Sequence, residues 1–344
     1  MIESEVKASA ILVVGPAWVG DMVMAQALFK TLRARHPGVA IDVLAPKWSL
    51  PLLARMPEVR AGIEMPLGHG QFQFSVRRDL GRRLRARQYD QAIVLPRSFK
   101  SAITPFFARI PRRTGYLGEL RRGLLNDIRP LDKKRLTQTV QRFVNLGLAA
   151  DEDLPIPIPT PALQVDTENQ RRLIDCLGLS ADAAGSVTAL IPGAEYGPAK
   201  QWPLEYFADL AKRRIAMGDR VWVFGSPKET ALGERVAQLA GDGARNLCGQ
   251  TQLVDAVDLL AACRRVVTND SGLMHVSGAV GVPLVAIYGS STPDYTPPLA
   301  PQAETIWLHL DCSPCFERRC PLGHTNCLRQ ISPDEVLVRL QRFE

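Results

Sequence analysis

The sequence has no apolar run near the roughly 20 residues that a membrane-spanning helix needs. It has no G-x-G-x-x-G, no P-loop, and only five histidines in 344 residues. The first absence excludes a spanning helix, and the second leaves nicotinamide chemistry and ATP hydrolysis without a motif. The opening MIESEVKASAILVVG puts acidic residues before a short apolar stretch, where an export signal would be basic, so a cytoplasmic protein is expected. Cysteines are also sparse outside one cluster. Cys176, Cys248 and Cys263 stand singly, which fits a reducing compartment better than a disulfide framework. No internal repeat or low-complexity segment is present.

The composition itself, 46% hydrophobic and 22% charged, is that of a soluble globular protein, and the length suffices for two domains. The net charge of +7 conceals an asymmetry. Residues 70–145 carry 18 Lys and Arg against 5 Asp and Glu, a balance of +13, which leaves −6 for the remainder. Such density implies an anionic partner: nucleic acid, a phosphorylated substrate or a membrane surface. The plainer alternative is a set of solvated helix faces. Nucleic acid is not expected, because the segment shows no interleaving of aromatics and no reader motif.

Hydrophobic periodicity alternates strand and helix along the chain. Strands are expected at 10–14, 41–45, 62–64, 91–95 and, as an edge strand, 112–116; helices at 21–35, 48–55, 75–87, 101–108 and 137–146. Four prolines in DEDLPIPIPTP, residues 151–161, suit neither a helix nor a central strand and mark a linker. The alternation then resumes, with strands at 188–191, 220–224, 245–247, 265–268 and 283–288. Helices are expected at 169–177, 204–217, 228–240, 253–262, 272–280 and 333–343. The expected organisation is an α/β protein with Rossmann-like, doubly wound domains at 1–150 and 162–330. A closing helix in 331–344 is open to crossing back to the first domain.

The chemistry gathers at strand ends. Val266–Gly289 reads as a βαβ unit whose helix opens on Asn269-Asp270-Ser271-Gly272, so polar caps and free backbone N–H groups converge on one place suited to phosphate. Met274 and His275 follow in the first turn. After the strand at 188–191, Pro192-Gly193-Ala194 permits close backbone approach and Lys200 supplies a positive charge. Phe224-Gly225-Ser226 leads to Glu229, a carboxylate able to bond a ribose hydroxyl or to stand solvated. In the first half, Gly15-Pro16-Ala17-Trp18-Val19-Gly20-Asp21 joins the first strand to its helix. Asp21 reads either as a simple N-cap or as a base at the mouth of a cleft, able to take a proton from a sugar hydroxyl.

In order, the motifs G-x(4)-G-D, P-G-A-x(5)-K-x-W-P, F-G-S-x(2)-E and N-D-S-G-L-M-H-x(5)-G-x-P resemble those of the ADP-heptose:lipopolysaccharide heptosyltransferases. The match covers essentially the whole chain, and Cys312-Ser313-Pro314-Cys315…Cys320…His324…Cys327 is similar to the type II branch. The resemblance implies a GT-B fold of two Rossmann-like domains facing across a cleft. It implies an inverting transfer of L-glycero-D-manno-heptose from ADP-heptose to the first heptose of the inner core, on heptosyl-Kdo2-lipid A. Asp21 is then the base and Lys200 the second catalytic group. Gly193, Lys200, Gly225, Glu229, Asp270, Ser271, Gly272, Met274 and His275 line the donor site, and Gly20, Arg97, Ser98, Lys100 and Arg113 the acceptor site. From the 193–200 loop the family pattern transfers the lysine alone, since Gly193-Ala194 stands where type I is richer in hydroxyl residues.

No cofactor is implied. The expected partners are ADP-heptose, a phosphorylated lipid-linked acceptor and the cytoplasmic leaflet of the inner membrane, with the protein itself a monomer. Cys312, Cys315, Cys320 and Cys327 have metal-site density, but the spacing is irregular for a zinc ribbon, so packed, reduced thiols are expected ahead of a structural metal. Two alternative functions stay open: a type I transfer to Kdo2-lipid A, and a nucleotide-sugar epimerase of similar fold. An epimerase would call for more acid–base groups around the sugar, and His275 alone among the five histidines is placed for that.

Overall fold

The computed structural model describes residues 9–68, 70–179 and 186–343. The chain forms two compact units, Met1–Thr160 and Pro161–Glu344, which meet within the proline-rich stretch.

The first unit runs β1 (Ala10–Val14), α1 (Val19–Arg35), β2 (Ala40–Pro46), α2 (Leu50–Leu53), β3 (Val59–Met65), α3 (Phe74–Leu84) and β4 (Gln91–Val94). It continues with α4 (Ile103–Phe107), β5 (Arg112–Tyr116), β6 (Asp127–Arg129) and α5 (Thr139–Asn145). Its parallel sheet has the order β3-β2-β1-β4-β5-β6. β1 is five consecutive buried apolar residues, as a strand covered on both faces must be. Within this sheet, Asp42 of β2 is fully buried and carries Arg60 at 2.7 and 2.8 Å, Arg87 at 3.0 Å and the Tyr89 hydroxyl at 2.6 Å. Burial alone would raise the Asp42 carboxyl; the hydrogen bonds from Arg60 and Tyr89 outweigh it and hold it below the usual range.

The second unit runs α6 (Thr167–Cys176), β7 (Val187–Ile191), α7 (Leu204–Ala216), β8 (Arg220–Val223), α8 (Thr230–Ala240), β9 (Ala244–Asn246) and α9 (Leu253–Ala261). It ends with β10 (Arg265–Asn269), α10 (Gly272–Ala279), β11 (Leu284–Ile287), β12 (Ala303–Ile306), α11 (Asn326–Arg329) and α12 (Pro333–Gln341). Its sheet order, β12-β11-β10-β7-β8-β9, repeats that of the first unit. The core joins Leu190, Val223, Val267 and Val285 from the strands to Trp202, Phe207 and Leu210. α12 packs against α7 in this unit: Val336 and Leu340 enter the same core, and Ser332 caps the helix.

Two strands differ from expectation. β6 and β12 are additional, and β6 takes the edge position expected of 112–116 by pairing Thr114 with Asp127. A three-residue strand reading Asp-Ile-Arg has neither apolar alternation nor length to announce it. Several expected helices open or close with a 3₁₀ turn, as at Lys47–Ser49, Arg85–Arg87 and Phe99–Ala102. The described residues contain no helix long and apolar enough to cross a membrane.

Candidate active site

In a 3-2-1-4-5-6 sheet the strand order reverses between the first and fourth strands, and ligands bind beyond the carboxyl ends there. In the second unit those strands are β7 and β10. Lys200 lies in the loop after β7, Asp270 and Ser271 follow β10, Ser291 follows β11, and Glu229 follows β8. Four neighbouring strands thus deliver their polar residues to one sheet edge.

Two helical features shape this edge. Ser271 is the N-cap of α10 and its hydroxyl accepts from Met274 N at 3.3 Å, leaving the opening amides of the helix directed outward. Lys200 ion-pairs with Asp270, whose same Oδ2 accepts from Ser291 Oγ at 2.5 Å. Lys200 also sits over the Tyr196 ring, 5.0 Å from its centroid. The lysine is therefore held at the helix N-terminus and not left to swing in solvent.

The loop bearing Lys200 is anchored at both ends by Asn269. Its Nδ2 donates to Pro192 O at 2.7 Å, and its Oδ1 accepts from Trp202 N at 2.9 Å. Farther along, Arg318 O accepts from Ala199 N at 3.2 Å. Gly197, at φ 152°, lies under that carbonyl, where a β-carbon would stand 2.5 Å from the oxygen.

Glu229 caps its own turn, accepting from Ser226 N at 2.6 Å, and its carboxylate lies against the bare backbones of Gly193 and Gly225. His275 is buried, and among the described residues its Nδ1 has no hydrogen-bond partner. Burial, aided by the nearby Lys200 and opposed by Asp270, pushes its pKa down to about 4, so the imidazole is neutral at physiological pH. Met274 is fully buried under Tyr288 and forms the floor of the turn.

In the first unit the switch point lies between β1 and β4. Gly20 is buried and Asp21 half-buried in the first turn of α1, where the helix dipole favours a carboxylate. Beyond β4 come Arg97, Ser98 and Lys100, so these acceptor candidates gather at the same edge as Asp21. Arg113 does not join them. It is the second residue of β5, paired with Ala92, and its guanidinium bonds Ile110 O and Leu124 O, both at 2.6 Å, toward the amino end of the sheet.

Motif reading passed over the residues that support this edge. Arg121 is fully buried and its Nη1 donates to Pro96 O at 2.7 Å and to Ser101 Oγ at 3.1 Å. Desolvation lowers its pKa to about 10. Glu119 accepts from Phe99 N at 2.6 Å, and Gly118 lies where a β-carbon would meet Arg97 O at 2.1 Å. Ser291, at the carboxyl end of β11, is another such residue in the second unit, and the rule that found Lys200 and Asp270 finds it when applied to every carboxyl end. Asn269 is in the strand-end motif, but its anchoring of the lysine loop shows only in the structure.

Behind the lysine loop, Cys312, Cys315, Cys320 and Cys327 line a cavity of about 20 Å³ with Ala199 and Ser290. Among the described residues no three His, Cys, Asp or Glu side chains are disposed to hold a metal ion. The thiols differ. Hydrogen bonds from backbone N–H groups, Thr325 first, lower the Cys320 pKa, whereas burial and the neighbouring thiols raise that of Cys327.

Two six-stranded parallel sheets of this order, with helices around them, are the architecture of GT-B glycosyltransferases. The solved structure of Escherichia coli ADP-heptose LPS heptosyltransferase II superposes with a TM-score of 0.86 at 45% identity, covering 97% of this chain and 98% of that one. In sequence, the chain is 49% identical to lipopolysaccharide heptosyltransferase 2 of Salmonella typhimurium, over 96% of this chain and 97% of that protein. It is 47% identical to the E. coli K12 enzyme of the same name, over the same shares. The profile of glycosyltransferase family 9 (heptosyltransferase) matches residues 77–326. The chain belongs to glycosyltransferase family 9.

Proposed function

We propose that the protein transfers L-glycero-D-manno-heptose from ADP-heptose to the first heptose of the lipopolysaccharide inner core, with inversion at the anomeric carbon. The observation that carries this reading is Lys200 held by Asp270 at the N-terminus of α10, at the switch point, in a chain of this family. An ADP diphosphate seated there meets a cation and unshared backbone N–H groups, while Glu229 stands two strands away to take a ribose hydroxyl.

In the proposed step Asp21 accepts the proton of the acceptor hydroxyl as its oxygen forms a bond to the anomeric carbon. The bond from that carbon to the phosphate oxygen breaks, and its electron pair leaves with ADP. Negative charge grows on the diphosphate, and fixed donors aimed there lower the barrier; removal of one such donor costs on the order of a hundredfold. Gly20, Arg97, Ser98 and Lys100 are the groups proposed to hold the acceptor. Its lipid anchor makes the enzyme a peripheral partner of the inner membrane's cytoplasmic leaflet, acting as a monomer.

Type I transfer and epimerisation are weaker readings, since the full-length relatives bear the type 2 name. The test offers ADP-heptose with either heptosyl-Kdo2-lipid A or Kdo2-lipid A and follows product by mass spectrometry. Addition of one heptose to the heptosylated acceptor alone is expected. Extension of Kdo2-lipid A alone would reassign the enzyme to type I, and conversion of ADP-heptose to an isomer would reassign it to epimerisation.

A further inference from the structure

The arginines and aromatics of the first unit, separated along the sequence, come together on one face. Phe74, Arg78 and Arg82 of α3 and Arg85 at its C-cap follow at spacings of four, four and three, which places them on one helical stripe. The adjoining side, with Arg77, Leu80, Gly81 and Leu84, is buried. Gly81 lets α4 close against α3, since a β-carbon there would stand 2.5 Å from Thr104 O and 2.8 Å from Phe107 Cβ. The stripe therefore runs beside the end of α4, which carries Phe106, Phe107 and then Arg109.

Five phenylalanine rings form a continuous chain across this face. Phe72 stacks with Phe99 at 6.4 Å and with Phe74 at 6.5 Å; Phe74 meets Phe107 edge-on at 5.6 Å, and Phe107 meets Phe106 at 5.3 Å. Phe72, Phe74 and Phe106 are 49%, 43% and 38% exposed. A contiguous exposed aromatic band is a surface awaiting a partner.

At the far end of the band is a cavity of about 460 Å³, lined by Arg85, Arg109 and Arg113 with Phe106, Phe107 and Ile110. Its charge is uncompensated. Among the described residues Arg83, Arg85, Arg109 and Arg113 make no ion pair, and the carboxylate nearest Arg82 is that of Asp79 at 3.8 Å. Burial and the adjacent Arg109 and Arg82 lower the Arg85 pKa, the expected response of a guanidinium among like charges.

We infer that the α3–α4 face docks on an anionic phospholipid bilayer, with Arg85, Arg109 and Arg113 taking lipid phosphate and Phe72, Phe74 and Phe106 entering the acyl boundary. Guanidinium forks match phosphate oxygens, and a basic helix face beside exposed phenylalanines is the pattern of interfacial binding. Nucleic acid fits less well. Each of the five rings is already engaged by another, two pairs stacked and two edge-on, where base stacking needs free faces. The inference deepens the reading that the acceptor is lipid-linked, and it explains why Arg113 lies apart from the other acceptor candidates.

The experiment measures co-sedimentation of the full chain with phosphatidylglycerol vesicles and with phosphatidylcholine vesicles, both free of acceptor. Binding to the anionic vesicles alone is expected, falling as salt rises from about 50 to about 500 mM. The variant R85Q/R109N should bind on the order of tenfold more weakly; asparagine suits the left-handed backbone of Arg109. Phe74→Ser, a second variant on an exposed site, should also weaken binding, and both should keep the parent's melting temperature and its transfer to a deacylated, water-soluble acceptor. Equal binding by parent and variants, no binding to anionic vesicles, or single-stranded DNA competing the vesicles off would overturn the inference. Vesicle binding without heptosyl transfer would leave this surface standing and remove the proposed reaction; transfer to the soluble acceptor without vesicle binding would do the reverse.

Discussion

Glu229 lies so close over Gly193 that a β-carbon at position 193 would stand 1.7 Å from Glu229 Oε1. The atom in the way is the end of a flexible side chain, so Gly193→Ala should fold with a melting temperature near the parent's, yet displace the carboxylate. Binding of ADP, measured by calorimetry, is expected to weaken by on the order of tenfold or more, the scale of a lost hydrogen bond to a charged group. Unchanged ADP affinity in a folded variant would separate Glu229 from the nucleotide.

Lys200→Met is expected to be more severe. It removes the cation from the helix N-terminus and leaves Asp270 buried with only the Ser291 hydroxyl on its Oδ2. Loss of a preorganised donor predicts a fall in kcat on the order of a hundredfold or more, and an unpaired buried carboxylate predicts reduced thermal stability. The double variant Lys200→Met with Asp270→Asn should recover stability and leave activity low. Recovery of both would make Lys200 a structural residue.

His275 gives a pH signature. The unfolded imidazole takes up a proton near pH 6.5 and the folded one only near 4. The unfolded state therefore binds more protons across that window, and stability falls as the pH drops through it. Urea unfolding from pH 7 to pH 4 should show this slope, and His275→Asn should flatten it. A separate loss below about pH 4 comes from Asp127. Burial raises its carboxyl, but hydrogen bonds from Arg129, Arg112 and Thr114 prevail and hold it at about 2. A histidine resonance for His275 moving at pH 6.5 would contradict the assignment.

The cysteine cluster is expected to behave as four thiols of unequal reactivity. Iodoacetamide under native conditions should modify Cys320 before Cys327, in line with the opposite directions of their pKa shifts. Metal analysis of protein purified without chelator should give far less than one equivalent, with no change in melting temperature on adding chelator. One equivalent of zinc whose removal unfolds the protein would make the cluster a structural metal site.

Much of this site was legible because its chemistry is local. A strand, a glycine-bearing turn and a capped helix leave a pattern within about a dozen residues, and Lys200, Glu229, Asp270 and Ser271 each fall inside one. What holds them is not local. Arg121 reaches back 25 residues to Pro96, and the Cys312–Cys327 region meets the lysine loop through Arg318 O and Ala199 N. β6 was missed because pairing with β5, not its own sequence, makes three residues a strand. Arg113 stands in the sequence with the acceptor candidates, but its strand register, which is not visible in the sequence, puts it toward the other end of the sheet from Arg97, Ser98 and Lys100. The phenylalanine chain escaped notice because its rings come from α3, α4 and the turns before them, and only the packing of Gly81 against α4 joins them.

The most direct measurement is single-turnover heptosyl transfer from ADP-heptose to heptosyl-Kdo2-lipid A by the parent chain and by Asp21→Ala, with ADP affinity measured on both. The expected result is product from the parent, a rate lower by on the order of a hundredfold or more in the variant, and equal ADP affinity. Equal turnover by the two would contradict Asp21 as the base, and no product from the parent would contradict the reaction itself.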